Sequence, residues 1–358
     1  MAAMQAVVRQ SAARQPAARQ PTVCDTPQRT RRAVERPAVV NPKGPSPQAR
    51  ALHAFCRNLV RPAVVVMPLT KAGVRGAFMI DFFASMWPQP PGITVEHLRM
   101  PGYQVEIVRD GRSDKPIADG AVLYLHGGGF VCCGRNTHRP IVAEIARRTG
   151  LPVVSVEYRQ MPKAKISGSV RDCLSAYAWL LEQGVDPSRV VFAGDSAGGF
   201  LVFATALRAL DVGLPVPAGI VGISALLDLD VTAKLAHPNV SRDSYVVAGG
   251  LATICRMGGE VDGRIDPLLS PVNGALAKLP PSFLLAAEDE VLRCDSELMA
   301  QRLRAAGVDA TLQIWRGQVH AFPALAPGLP ESRIALAHIS RFIRARIAAG
   351  GTRPVKIA

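Results

Sequence analysis

The chain has 358 residues, of which 48% are hydrophobic and 20% are charged, enough for a large domain with a buried core. Its formal net charge is +14, but residues 1–50 hold nine Lys and Arg residues against two acidic ones. The other 308 residues therefore share a dispersed excess of +7, which argues against the clustered basic face of a nucleic-acid-binding protein.

The seven cysteines follow neither the spacing of a disulfide framework nor that of a zinc site, so we expect no metal and no organic cofactor. Cys132 and Cys133 are adjacent, and neighbouring residues rarely form a bridge without strain. No stretch reaches the roughly 18 apolar residues of a membrane span. We expect a cytoplasmic protein, with a transit-peptide role for the basic N-terminal segment left open.

The chain divides into four segments by composition. Residues 1–48 repeat a loose Ala-Arg-Gln-Pro theme, which predicts a disordered basic tail. Residues 49–92 are helical in pattern and include an apolar stretch over Leu69–Trp87, which predicts a helical segment. Residues 93–348 form the predicted main domain, and residues 349–358 a flexible C-terminus.

Strand-like and helix-like segments alternate after residue 93. Two segments separated by Pro101-Gly102 predict an antiparallel strand pair, and short apolar runs such as Ala121–Leu125 fit parallel strands buried on both faces. The alternation implies an α/β fold with a mostly parallel, doubly wound sheet of about eight strands. The predicted strands are Val95–Met100, Tyr103–Val108, Ala121–Leu125, Val153–Glu157, Val190–Ala193, Gly219–Ile223, Phe283–Ala287 and Ala310–Ile314.

The most informative motif follows the strand Val190–Ala193. Gly194-Asp195-Ser196-Ala197-Gly198 has the G-x-S-x-G pattern of a nucleophile elbow, placed between a predicted strand and a predicted helix. Such a turn is so tight that glycine is needed at Gly194 and Gly198. It predicts Ser196 as an exposed nucleophile and the N–H of Ala197, at the helix N-terminus, as an oxyanion donor. An incidental serine in a glycine-rich loop is the alternative.

A second glycine-rich motif supports this interpretation. His126 is followed by three glycines after the strand Ala121–Leu125, and such a run can aim several N–H groups at one point. Neither a P-loop nor a dinucleotide fingerprint fits the spacing. The candidate oxyanion donors are Gly127, Gly128 and Gly129, whereas His126 and Asp195 are expected to shape their loops.

With both motifs in place, the sequence resembles the hormone-sensitive-lipase family of esterases over roughly residues 55–348. That resemblance implies that residues 93–348 are a catalytic domain of the α/β-hydrolase fold and that residues 49–92 form a helical cap over the site, with Leu69–Trp87 as the matching stretch. It also implies two oxyanion donors among Gly127, Gly128 and Gly129. One departure lies after Tyr158-Arg159, where the family's usual acidic residue and histidine are replaced by Lys163 and Lys165.

The order of catalytic residues in this fold is nucleophile, acid, base. His320 follows the last predicted strand and is therefore the predicted base. Glu288, Asp289, Glu290 and Asp295 all follow the strand Phe283–Ala287, and bare chemistry leaves the choice open. The family pattern Asp-x-x-Leu maps onto Asp289, with Glu288 as the second choice, whereas Asp295 suits a helix N-cap.

The expected function is hydrolysis of short- to medium-chain carboxylic esters through Ser196, His320 and Asp289, by way of an acyl-enzyme. Amide or lactone cleavage is an alternative on the same apparatus. A non-catalytic ligand receptor on this scaffold is another, but the family's receptor branch lacks the triad histidine. The expected partner is a small ester, with no nucleic acid and no integral membrane segment, and a homodimer is left open.

Overall fold

A computed structural model describes residues 38–41, 43–66, 73, 76–77 and 79–350. Most of the predicted tail, residues 1–37, lies outside this range, as do residues 351–358 at the C-terminus.

The described strands are β1 (Ala38–Val40), β2 (Ile93–Met100), β3 (Tyr103–Asp110), β4 (Ala121–Leu125), β5 (Val153–Glu157), β6 (Val190–Asp195), β7 (Gly219–Ile223), β8 (Glu260–Val261), β9 (Arg264–Ile265), β10 (Ser282–Ala287) and β11 (Ala310–Trp315). Nine of them form one sheet through the centre of the molecule, in the order β1-β11-β10-β7-β6-β4-β5-β3-β2. In this sheet only β2 against β3 and β3 against β5 are antiparallel, so the predicted mostly parallel sheet and antiparallel pair are confirmed. A separate hairpin joins β8 to β9.

The central strands are apolar at nearly every position because helices cover both faces of the sheet. Successive residues of β4 alternate between the two cores: Leu123 belongs to one, and Val122 and Tyr124 to the other. The helices are α1 (Pro47–Phe55), α2 (Arg61–Val66), α3 (Met79–Ala84), α4 (Arg135–Thr149), α5 (Ile166–Glu182), α6 (Ala197–Asp211), α7 (Thr232–Ala236), α8 (Asn239–Arg242), α9 (Ala248–Gly259), α10 (Arg293–Ala305), α11 (Phe322–Leu325) and α12 (Pro330–Gly350). One core takes residues from α5, α6 and α10, and the other from α4 and α12.

The predicted tail is too long at its C-terminal end. Residues 38–40 form β1, which pairs in parallel with β11, and Ser46 caps α1 by accepting a hydrogen bond from the N–H of Ala49. A three-residue strand has too little periodicity to be detected in sequence, and it accounts for the ninth strand. The predicted flexible C-terminus likewise starts too early, since α12 continues to Gly350.

Helices α1, α2 and α3 occupy the segment predicted as a cap, with a turn of π-helix over Cys56–Val60 between α1 and α2. Within Leu69–Trp87, α3 covers Met79–Ala84, whereas residues 69–72, 74, 75 and 78 lie outside the described range. The chain leaves the sheet between β7 and β10, and this excursion, residues 224–281, carries α7 to α9 and the β8–β9 hairpin. It was not predicted from the sequence. No helix among the described residues is both long and apolar enough to cross a membrane.

Candidate active site

Ser196 lies in a sharp turn between β6 and α6, at φ 51° and ψ −116°. A non-glycine residue in this region stores strain of about 1–3 kcal/mol, a cost that is met at functional sites. The turn admits no side chain at its flanking glycines. A Cβ on Gly198 would lie 1.9 Å from the carbonyl oxygen of Leu125, and one on Gly194 would lie 2.6 Å from that of Gly198.

Backbone hydrogen bonds hold Ser196 against the end of β7. Its N–H donates to the carbonyl of Ile223 at 2.8 Å, and its carbonyl accepts from Leu226 at 3.1 Å. The next residue, Ser224, holds the loop that carries His320, because the Ser224 hydroxyl accepts a hydrogen bond from the N–H of Ala321 at 2.9 Å. The predicted nucleophile and base are therefore anchored on two consecutive residues at the same end of the sheet.

His320 is 4% exposed and turns its Nδ1 towards a carboxylate, that of Glu290, at 2.8 Å. This leaves Nε2 as the ring nitrogen free to take a proton from a hydroxyl. Asp289, predicted as the acid, is not in contact with His320. Its side chain is 35% exposed and lies 3.8 Å from Arg242. Glu288, the second choice, is also 35% exposed and faces Arg316.

The physical reason for this difference is the direction of consecutive side chains after β10. The N–H of Glu288 still bonds to the carbonyl of Trp315 in the sheet, and the chain then turns so that Glu290 is 1% exposed. Burial raises the pKa of Glu290, and the hydrogen bond with His320 only partly offsets this. For His320, burial opposes the charged form, but the Glu290 carboxylate outweighs that effect and raises the pKa. The pair is thus built to stabilise an imidazolium.

The three predicted oxyanion glycines do not play the same part. The N–H of Gly127 donates to Asp195 at 3.2 Å and also lies 3.3 Å from Nε2 of His138, so it is directed inwards, which leaves Gly128 and Gly129 as the two candidate donors among the three glycines. Within the described part of the chain, the N–H groups of Gly128 and Gly129 meet no acceptor. Ala197 opens α6, so its N–H has no acceptor within the helix.

A buried charged network lies beneath this loop. Asp195 accepts hydrogen bonds from Tyr124 at 2.7 Å and from His138 at 3.2 Å, in addition to that from Gly127. Although burial disfavours a charged imidazole, the Asp195 carboxylate raises the pKa of His138 to about 9. His126 is fully buried, donates from Nδ1 to the carbonyl of Gly127, and has its pKa lowered by burial to about 4. The network ties the glycine loop to the serine turn.

Residues of the excursion hold the acid and base in place, and sequence motifs gave no sign of them. Asn239 donates to the carbonyls of Glu288 and Glu290, both at 2.9 Å. Asp243, 1% exposed, accepts from the N–H of Val291 at 2.8 Å. Tyr245 donates its hydroxyl hydrogen to the carbonyl of His320 at 2.8 Å.

One helix contacts the glycine loop, and another contacts the start of the helix α4 that follows it. Ile254, on α9, lies 3.3 Å from where a Cβ of Gly129 would be and provides an apolar neighbour. Asp81, on α3, accepts hydrogen bonds from the N–H and hydroxyl of Thr137 and from Asn136, and so joins the cap to the start of α4. Among the described residues, no three His, Cys, Asp or Glu side chains are arranged to hold a metal ion.

Comparisons with known proteins agree with this architecture. Residues 122–324 match a family described by its α/β-hydrolase fold. The carboxylesterase/phospholipase LipF of Mycobacterium tuberculosis is 36% identical, over 89% of this chain and 87% of its own. An acetyl-hydrolase of Streptomyces hygroscopicus is 35% identical, over 71% of this chain and 83% of its own. A solved esterase of the bacterial hormone-sensitive-lipase family superimposes with a TM-score of 0.75 and 32% identity, covering 84% of this chain and 99% of that one.

Proposed function

The chain belongs to the α/β-hydrolase family and is an ester hydrolase of the hormone-sensitive-lipase type, and from this we propose that it cleaves short- to medium-chain carboxylic esters with Ser196, His320 and Glu290. The observation that carries the assignment of the acid is the 2.8 Å hydrogen bond between His320 and the buried Glu290. Glu290 replaces Asp289 in the mechanism expected from the sequence.

The proposed mechanism gives each of these groups a role. Nε2 of His320 takes the hydroxyl proton of Ser196 as the serine oxygen attacks the ester carbonyl. Glu290 keeps the imidazole in the required tautomer and stabilises its charged form. The developing oxyanion receives hydrogen bonds from Gly128, Gly129 and Ala197. His320 then gives this proton to the leaving alcohol. In the second half of the reaction His320 takes a proton from water, which attacks the acyl-enzyme, and returns it to Ser196 as the acid is released.

The substrate class is supported by the neighbours of the glycine loop and by the named relatives. Ile254 is an apolar neighbour of Gly129, and an apolar side chain beside the oxyanion loop suits an acyl chain better than a charged group. Relatives include the acetyl-hydrolase, an ethyl acetate hydrolase of Pseudomonas putida, and a solved structure soaked with p-nitrophenyl butyrate.

A p-nitrophenyl ester series from acetate to palmitate tests both parts of the proposal. We expect the largest kcat/KM between acetate and octanoate and loss of nearly all activity in Ser196→Ala. Activity that survives in Ser196→Ala would refute the nucleophile, and a maximum at palmitate would refute the substrate class. Circular dichroism of the variant would show that it is folded.

The same assay distinguishes the alternatives. An anilide or a lactone turned over faster than the matched ester would favour amide or lactone cleavage. A non-catalytic receptor is disfavoured by the buried carboxylate–imidazole pair, which a binding protein would not need. A receptor would bind esters without consuming them.

A cytoplasmic location and a homodimer stay predictions. Cell fractionation with an antibody tests the first, and sedimentation equilibrium of the full chain tests the second. A monomer mass at micromolar concentration would overturn the homodimer.

A further inference from the structure

The peptide unit that joins Gly128 to Gly129 has a proposed oxyanion donor on one side and a heavily bonded carbonyl on the other. The Gly128 carbonyl accepts from the N–H of Val131 at 3.1 Å, the N–H of Cys132 at 3.0 Å and the thiol of Cys132 at 3.2 Å. Because a peptide unit is planar, groups that fix its carbonyl also fix the direction of its N–H. The Cys132 thiol therefore helps to aim the Gly129 N–H at the oxyanion.

The same thiol faces a second one. The Sγ atoms of Cys132 and Cys133 are 3.7 Å apart, the Cys133 thiol donates to Cys132, and both residues are partly exposed. Gly128 packs directly on this dipeptide, since a Cβ there would lie 1.9 Å from the carbonyl oxygen of Cys132. A disulfide would bring the sulfurs to about 2.05 Å and remove the thiol hydrogen that the Gly128 carbonyl accepts.

The geometry points to Cys132 and Cys133 as a redox-modification site, at which a peroxide closes a reversible disulfide that disables the oxyanion hole. This inference rests on the proposed function, because it uses the assigned role of the Gly129 N–H. Adjacent Cα atoms lie about 3.8 Å apart, closer than the roughly 4.4–6.8 Å that disulfides usually span. The bond would be strained and easily reduced, as regulatory disulfides are.

The reaction consumes one peroxide for each pair. The Cys132 thiolate attacks one peroxide oxygen, the O–O bond breaks, and the expelled hydroxide takes up the proton of the thiol to form water. The Cys133 sulfur then attacks the sulfenic sulfur of Cys132, the S–O bond breaks, and the departing hydroxide takes the Cys133 proton. Two thiols are oxidised by two electrons and the peroxide is reduced to two waters. The hydrogen bond from Cys133 lowers the pKa of Cys132, which suits it to the first step.

The test uses the full chain, reduced with dithiothreitol and freed of it before peroxide is added. Esterase activity is followed with p-nitrophenyl butyrate. Free thiols are then alkylated, and the mass of the proteolytic peptide containing Cys132 and Cys133 is measured by mass spectrometry. We expect kcat to fall at least about tenfold, as the loss of an oxyanion donor costs about 100–1,000-fold, while that peptide loses two hydrogens. Dithiothreitol should restore both activity and mass.

Two variants separate this explanation from oxidation elsewhere. Cys133→Ser, which leaves the thiol of Cys132 in place, should start fully active, and its peptide should gain one oxygen on Cys132 instead of losing two hydrogens, because no second thiol is present to displace the sulfenic oxygen. Cys132→Ser should show no reversible loss, whatever its starting activity. A peptide that keeps its hydrogens, or one that loses them without loss of activity, would overturn the inference. An inactive reduced enzyme whose peptide still loses two hydrogens would instead refute the proposed function.

Discussion

Replacing Glu290 with Gln tests the assignment of the acid most directly. The carboxylate is 1% exposed and lies 2.8 Å from Nδ1 of His320, so the variant removes a buried negative charge while keeping the shape of the side chain. When a triad carboxylate becomes an amide, kcat falls by about 10,000-fold because the imidazole loses its tautomer and its counter-charge. We expect a loss of about 1,000- to 10,000-fold, equivalent to about 4–5.5 kcal/mol.

Asp289→Asn is the matched control, since it changes an adjacent acidic residue in the same way. Its ion pair with Arg242 is 3.8 Å long and partly exposed, and such pairs contribute about 0–1 kcal/mol. We expect less than about a fivefold change in kcat, measured on p-nitrophenyl butyrate with thermal unfolding as a check on folding. Equal losses in the two variants, or a larger loss in Asp289→Asn, would refute the assignment.

The pH profile gives an independent readout of the same contact. His320 must be neutral to act as a base, so kcat/KM should rise with pH through its pKa, which Glu290 holds above 6.5. In Glu290→Gln the residual activity should begin to rise at lower pH, because the charge that favours the imidazolium is gone. If kcat/KM rose over the same pH range in Glu290→Gln as in the unchanged protein, Glu290 would not control the pKa of His320.

Three further outcomes are expected. The pKa of His138 is about 9 in the folded protein and 6.5 in the unfolded chain, so its contribution to stability is complete below pH 6.5 and is lost as the pH rises through 9. The free energy of unfolding measured in urea should therefore decrease by on the order of 3 kcal/mol over this range, and His138→Gln should not show the decrease. Asp81→Asn should raise KM about tenfold with little change in kcat, because charge-assisted hydrogen bonds joining the cap to α4 are lost. An unchanged KM would show that the cap does not contribute to substrate binding. Ile254→Ala should raise the kcat/KM ratio of hexanoate to acetate about fourfold per methylene accommodated, measured in the ester series.

The sheet and the serine turn were predictable because both depend on local rules. Parallel strands covered on two faces must be apolar throughout, as Ala121–Leu125 is, and a tight strand–turn–helix junction leaves glycine as the residue that fits at Gly194 and Gly198. Such signals need no knowledge of distant contacts. The same reasoning placed His320 after the last strand of the sheet.

The identity of the acid and of the oxyanion donors depends on the direction in which side chains and N–H groups point, and the sequence does not determine that direction locally. Asp289 and Glu290 are neighbours of the same charge, and only the course of the chain after β10 decides which one is buried against His320. Gly127 differs from Gly128 only in that its N–H meets Asp195, a contact set by the packing of β4 beside β6. The short helices α7 and α8, of five and four residues, were missed because they span about one turn each.

Strand β1 also has a consequence for how the chain can be shortened. It pairs with β11 through Val40 and Trp315, and the N–H of Arg316 donates to the Val40 carbonyl. A chain beginning at residue 49 would leave the outer edge of β11 unpaired at residues 313–315, although β10 would still pair with its other side, and an open strand edge of this kind recruits other chains. Such a protein would be expected to self-associate through this edge, which ends five residues before His320. By covering the edge of β11, β1 prevents other chains from pairing beside the loop that carries His320.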